Sequence, residues 1–129
     1  MNKIILDNDN IKAETNEKNI KYEFNNNLLG VNELKLEILN DTDLELIYKL
    51  NDYKLETQIN IKENKKLNII EKLEGTNIKL RSKYALNEKS DVTITKINDT
   101  SNLKEYTIIN LNGEQSKIKY NLKTIATWV

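Results

Sequence analysis

The chain has 129 residues, a length that suits one domain, and its 20 basic and 20 acidic side chains cancel. Zero net charge removes the positive field expected of a protein that binds nucleic acid or anionic lipid. The sequence contains neither cysteine nor histidine, which excludes disulfides, thiolate chemistry and the commonest metal ligand and proton shuttle. We therefore expect a non-enzymatic chain that binds no cofactor on its own, no nucleic acid and no membrane.

The N-terminal segment carries one short apolar run, Ile4-Ile5-Leu6. This run is too short for a signal peptide or a membrane-spanning helix, so we expect a cytoplasmic location. Residues 1–15 and Leu28-Leu29-Gly30-Val31 depart from the pattern of the rest of the chain. We interpret residues 1–31 as an N-terminal cap together with a first coil.

Polar, turn-like clusters recur at a nearly fixed interval along the chain. The clusters begin at Asn16, Asn40, Glu63, Asn87 and Asn112. The separation of about 24 residues is typical of a repeat architecture. Asparagine suits such turns because it tolerates the left-handed backbone conformation.

Apolar residues alternate with polar ones on both sides of these clusters, which predicts strands with one face buried. The strands that follow the clusters carry Ile20, Tyr22 and Phe24; Leu44, Leu46, Tyr48 and Leu50; Leu67 and Ile69; Val92 and Ile94; Ile118, Tyr120 and Leu122. The strands that precede them carry Leu34, Leu36 and Ile38; Ile59 and Ile61; Tyr84 and Leu86; Ile109 and Leu111.

Two strands and two turns in about 24 residues have the length of one coil of a solenoid. Further breaks at Asn51-Asp52, Glu74-Gly75-Thr76 and 98–102 close the other side of each coil. The sequence therefore predicts an all-β fold, a right-handed parallel β-helix (β-solenoid), as a single domain over residues 1–129.

Two other folds remain open. Asn112-Gly113 is typical of a tight type I′ turn, so the strands could instead form hairpins of an antiparallel β-sandwich. The stretch from Glu33 to Glu56 is rich in helix-forming residues and is compatible with a helical hairpin. Strict alternation from Leu34 to Ile38 argues against the helices.

The last residues of the chain are still apolar, and the repeat shows no second cap there. Uncovered strand edges and inward side chains at the end of a solenoid favour contact with a partner. We predict a partner interface at this C-terminal edge, in a homo- or hetero-oligomer. Its residues are Ile118, Tyr120, Leu122, Ile125 and Trp128.

Acidic pairs were considered as sites of catalysis or metal binding. Asp41 with Asp43, and Asp7 with Asp9, have the spacing of calcium ligands but lack the glycine and distal glutamate of that motif. We expect solvated turn residues at both pairs. Glu71 follows an apolar run and could project into the interior of the solenoid or lie on its flank; of the two, we expect the flanking position, facing solvent.

The alternating strands and polar turns of residues 33–127 resemble the SufB/SufD family, the scaffold proteins of iron–sulfur cluster assembly. The similarity lies in the segments 59–71, 84–92 and 106–118. It implies a parallel β-helix core. The family's functional cysteine, glutamate and histidine positions, and its helical region that docks an ATPase, have no counterpart here.

The resemblance implies a non-catalytic scaffold subunit that acts in iron–sulfur cluster assembly. Its partners would be a related SufB/SufD-type subunit, which supplies the ligands, and the family's ATPase. The alternative is a stand-alone module that binds carbohydrate or protein. That alternative requires a groove on one outer face, lined by several of Tyr22, Tyr48, Tyr53, Tyr84, Tyr106 and Tyr120.

Overall fold

A computed structural model describes residues 2–26 and 30–124, and all regular structure in these ranges is β-strand. Accordingly, these ranges contain no long apolar helix of the kind that crosses a membrane. The strands are β1 (Asn2–Asp7), β2 (Asn10–Glu14), β3 (Ile20–Asn25), β4 (Asn32–Ile38), β5 (Thr42–Ile61), β6 (Lys66–Asn87), β7 (Asp91–Asn112) and β8 (Lys117–Thr124).

The long strands pair in parallel, each one coil after the previous one. Thr42 of β5 lies opposite Leu67 of β6, and Leu67 lies opposite Val92 of β7. Paired positions of β5, β6 and β7 are 25 residues apart, and those of β7 and β8 are 26 apart. The predicted parallel β-solenoid is therefore confirmed, with a repeat one residue longer than the sequence pattern suggested.

Each of β5, β6 and β7 forms both sides of its coil by bending once. The bends lie at Asp52, Asn77 and Asn102, whose φ angles are 50°, 55° and 55°. Asparagine and aspartate adopt this left-handed conformation more readily than other non-glycine residues. We call 42–51, 66–76 and 91–101 the first halves of the coils, and 53–61, 78–87 and 103–112 the second halves.

The predicted polar clusters close the coils on the opposite side. Asn64, Lys89 and Gln115 have φ angles of 61°, 57° and 62° in these turns. Successive turns stack on one another through backbone hydrogen bonds: Asn64 donates to the carbonyl of Glu88 over 3.0 Å, and Lys89 donates to that of Glu114 over 3.0 Å. The turns thus continue the ladder of the strands.

The core lies between the two halves of each coil and consists of stacked inward side chains. In the first halves, Leu44, Ile69 and Ile94 occupy one ladder, and in the second halves Ile59 and Tyr84 occupy another. All five are at most 2% exposed. Each buried aliphatic side chain contributes about 1.5–3 kcal/mol relative to an exposed one, so these ladders supply the main stabilisation.

The N-terminal region departs from the repeat. β1 pairs in parallel with the first half of β5, and β4 pairs in parallel with its second half. Between them in sequence, β2 and β3 pair antiparallel to β1 and β4. The expectation that Ile20–Asn25 forms a rung of the parallel solenoid was therefore wrong.

The antiparallel strands cover backbone that the first coil would otherwise leave unpaired. β2 hydrogen-bonds to the outer edge of β1, and β3 to the outer edge of β4. Such pairing satisfies the donors and acceptors of an edge strand. Two hairpin-like insertions thus form the N-terminal end, although residues 27–29 of the predicted cap lie outside the described part of the chain.

The opposite end of the solenoid is covered on one side. β8 pairs in parallel with the first half of β7, from Asp91 opposite Lys117 to Asn98 opposite Thr124. Within residues 2–26 and 30–124, no strand pairs with the outer edge of the second half of β7. This asymmetry determines where the last described coil exposes apolar side chains.

Candidate functional site

The last described coil exposes a group of large apolar side chains. Leu111 is 55% exposed and Ile109 is 37% exposed on the second half of β7. On β8, Leu122 is 60% exposed and Tyr120 is 39% exposed. We call β8 together with residues 103–112 the C-terminal face. Because its side chains stand at inward positions of the repeat, a further coil would bury them.

The structure brings part of the predicted interface together on this face. Tyr120 and Leu122 belong to it, and Ile118 is partly buried against the core beside them. Ile125 and Trp128 lie outside the described residues. The predicted interface did not include Ile109 and Leu111. The signal for them is their inward register in a strand half whose outer edge pairs with no strand among the described residues.

The interior beneath the C-terminal face holds charged side chains, and this corrects the expectation for Glu71. Glu71 was expected to face solvent, but its side chain is fully buried. It lies directly opposite Lys96 of the next coil, which is also fully buried. Both occupy inward positions of the first halves, and each compensates the charge of the other.

Lys96 connects the two halves of its coil. Its Nζ lies 3.2 Å from Oε2 of Glu71 and also contacts Oε1 of Glu105 in the second half. The same ammonium lies 5.8 Å from the ring centroid of Tyr120 on β8. On the other side, the Tyr84 hydroxyl donates a 2.5 Å hydrogen bond to Oε1 of Glu71.

The protonation states of this cluster follow from its surroundings. Burial by itself lowers the pKa of Lys96, but Glu71 and Glu105 outweigh it and hold the pKa above the ordinary value. Burial and the charge of Glu71 raise the pKa of Tyr84 well above its usual range. Lys96 is therefore a charged ammonium and Tyr84 a neutral phenol, so neither is prepared to act as a nucleophile or base.

Asp41, Asp43 and Asp9, three members of the two acidic pairs, accept hydrogen bonds from residues of neighbouring strands. Asp41 accepts a 2.9 Å hydrogen bond from the amide of Lys66, and Asp43 accepts a 3.0 Å bond from Asn68. Asp9 accepts a 2.7 Å bond from the Tyr53 hydroxyl. In the part of the chain that the structure describes, acidic side chains form no group of three suited to a metal ion.

The six tyrosines do not form one outer groove. Tyr48 and Tyr84 are fully buried in the core. Tyr22 lies opposite Leu36, and Tyr120 opposite Ile94, so both share a face with inward core residues. The remaining inward tyrosine is Tyr53, which lies opposite the buried Ile78, and only Tyr106 stands at an outward position. Several tyrosines thus do not share one outer face, and the alternative of a stand-alone module that binds carbohydrate or protein stays a prediction.

None of the protein-family models, curated proteins or solved structures compared with the chain matches it. The resemblance of residues 33–127 to SufB/SufD proteins accordingly stays a prediction based on the pattern of strands and turns. A function for this chain is therefore inferred from the chemistry and exposure of its own surfaces.

Proposed function

We propose that the chain is a non-catalytic scaffold subunit that binds a second protein subunit through its C-terminal face. The observation that carries this proposal is the exposure of Ile109, Leu111, Tyr120 and Leu122 at inward positions of the last described coil. Clustered apolar exposure of this kind is typical of interaction sites. The adjacent edge of β7, with which no described strand pairs over residues 103–112, supplies backbone donors and acceptors for the same partner.

The partner contributes a β-strand that continues the second half of β7. Addition of a strand to an exposed sheet edge gains affinity from main-chain hydrogen bonds and specificity from alternate side chains. The alternate side chains offered here are Thr107, Ile109 and Leu111, which share one face of the strand. A strand with apolar residues at every second position complements them.

More specifically, we propose that the chain acts in the cytoplasm, bound to a SufB/SufD-type subunit of iron–sulfur cluster assembly. The absence of cysteine and histidine fits a division of labour in which the partner supplies the cluster ligands. This chain would then contribute rigidity and an interface, without binding a cofactor on its own.

Affinity purification of the tagged chain from its native cells, followed by mass spectrometry, tests the proposal. We expect a cysteine-bearing scaffold subunit, with or without its ATPase, to accompany the wild-type chain. The variant Leu111→Glu/Leu122→Glu is expected to lose this partner, because two apolar side chains that the partner would cover become charged. Ile70→Glu is the matched control, since Ile70 is 36% exposed on the outer surface.

Equal recovery of the partner with the double variant and with wild type would contradict the role of the C-terminal face. Recovery of a scaffold subunit of a different pathway would support the C-terminal face as an interface and contradict a role in iron–sulfur cluster assembly.

A further inference from the structure

A row of three lysines runs along the outer surface of the second halves. Lys54 lies opposite Lys79, and Lys79 lies opposite Lys104. All three side chains are exposed, and their backbones are separated by about 4.8 Å, the distance between neighbouring strands. Like charges directly opposite one another on adjacent strands are destabilising. The fold therefore holds this row of positive charges at an energetic cost.

Arg81 and Tyr106 form a second short row beside the lysines. They lie opposite each other in neighbouring coils, with the guanidinium 5.8 Å from the ring centroid. Tyr106 is 63% exposed. Arg81 is also the only arginine of the sequence.

The lysine row has no carboxylate in ion-pair contact within residues 2–26 and 30–124. Among the described residues, neither Arg81 nor any of the three lysines forms an ion pair with a carboxylate. Two carboxylates border the same surface: Glu56, which lies directly opposite Arg81, and Glu105. The strip thus carries four cations against two carboxylates in a chain with zero net charge.

An open groove of about 280 Å³ separates the two rows. Leu55 and Leu80 line it together with the exposed cations, and Val31 lines it towards the N-terminal end. The groove follows the direction in which the coils stack, so a bound chain would pass one lysine per coil. An elongated ligand with regularly spaced negative charges matches this arrangement.

We propose that the groove binds an acidic polysaccharide whose chain runs along the solenoid axis. Each lysine contacts one anionic group, Arg81 adds a planar contact to a further one, and a sugar ring packs on the open face of Tyr106. This site is separate from the C-terminal face and does not depend on the function proposed for it.

Two other polyanions fit the groove less well. An extended acidic peptide offers carboxylates to the lysines, but it has no sugar ring to pack on the exposed face of Tyr106. Single-stranded nucleic acid is bound by several aromatic platforms that stack successive bases. Tyr106 is the one aromatic side chain lining this groove.

Calorimetric titration with polygalacturonate oligomers tests the proposal. The variant Lys54→Gln/Lys79→Gln/Lys104→Gln is expected to bind about tenfold or more weakly, since it removes the charge of the row. The control Lys49→Gln/Lys62→Gln/Lys66→Gln loses the same net charge from three exposed lysines elsewhere, and its affinity should change by less than about twofold. Tyr106→Ala should weaken binding about threefold without altering its salt dependence.

Any one of three results would overturn the proposal. The first is the absence of saturable binding to the wild-type chain, and the second is an equal loss of affinity in both triple variants. The third is tighter binding of polyglutamate or of oligodeoxythymidylate than of polygalacturonate. Circular dichroism verifies that each variant is folded. Lys79→Glu, which reverses only the central charge of the row, provides the second test and should also weaken binding by about tenfold.

Discussion

Glu71 and Lys96 interrupt the apolar alternation of two neighbouring coils at the same point of the repeat. Each residue alone looks like a charged side chain that belongs on the surface. Their register places the two side chains next to each other in the interior, where their opposite charges compensate each other. The sequence contains this signal, because two residues of opposite charge stand 25 positions apart at a position that is otherwise apolar.

Sequence reasoning missed the cluster because it assigned each charge by residue type. Glu105 and Tyr84, which complete it, come from the second halves of two different coils. Contacts between the two sheets depend on how far each strand is displaced across the core. Alternation within a strand gives the inward face but not the partner on the opposite sheet.

Removing the central cation should destabilise the fold more than any surface substitution. Lys96→Met leaves Glu71 and Glu105 without their partner, and breaking a buried ion pair from one side costs about 3–5 kcal/mol. The control Lys49→Met alters an exposed lysine and should change the free energy of unfolding by less than about 0.5 kcal/mol. Urea denaturation measures both, and equal stability of the two variants would show that the cluster is not a structural element.

The coils owe their regularity to their corners. Positive φ angles recur at Asp52, Asn77 and Asn102, and their side chains form a hydrogen-bonded ladder. The sequence predicted the turns and most of the bends well, because asparagine, aspartate and glycine mark such positions locally. It did not predict that the strands continue through the bends, since hydrogen bonding with the next coil keeps the backbone extended on both sides.

The corner at Asn77 provides a test at this scale. Asn77→Val should lower the free energy of unfolding by about 1–3 kcal/mol, because a β-branched residue is strained at a φ of 55°. Asn77→Gly keeps the backbone conformation accessible and loses only the side-chain bonds to Asp52 and Asn102. Chemical denaturation should therefore rank glycine above valine, and the reverse order would contradict the role of backbone conformation.

The N-terminal strands show where the repeat pattern is insufficient. Ile20, Tyr22 and Phe24 alternate in the same way as later rungs, yet β3 pairs antiparallel with β4. Alternation is identical for parallel and antiparallel strands, so it fixes the buried face without fixing the direction of pairing. Only six residues separate β3 from β4 in the chain, a length that suits antiparallel neighbours and is too short for a parallel crossover.

The two ends of the described solenoid differ in how their strand edges are covered. At one end, β2 and β3 cover the edges of the first coil. At the other, within the described residues, β8 covers only the first half of the last long strand. Tyr120 and Leu122 of the predicted interface lie on the side that β8 forms, and Ile109 and Leu111, which the prediction did not include, lie across the coil. The interface itself stays a prediction.

Hydrogen–deuterium exchange of the chain, free and bound to the subunit recovered with it, tests the central claim most directly. A partner that docks on the C-terminal face should slow amide exchange in residues 103–112 and in β8, because the edge becomes paired and the apolar side chains are covered. Exchange in β2 and β3 should remain unchanged. Slowed exchange confined to β2 and β3, or no change on residues 103–124, would contradict the assignment of this face as the interface.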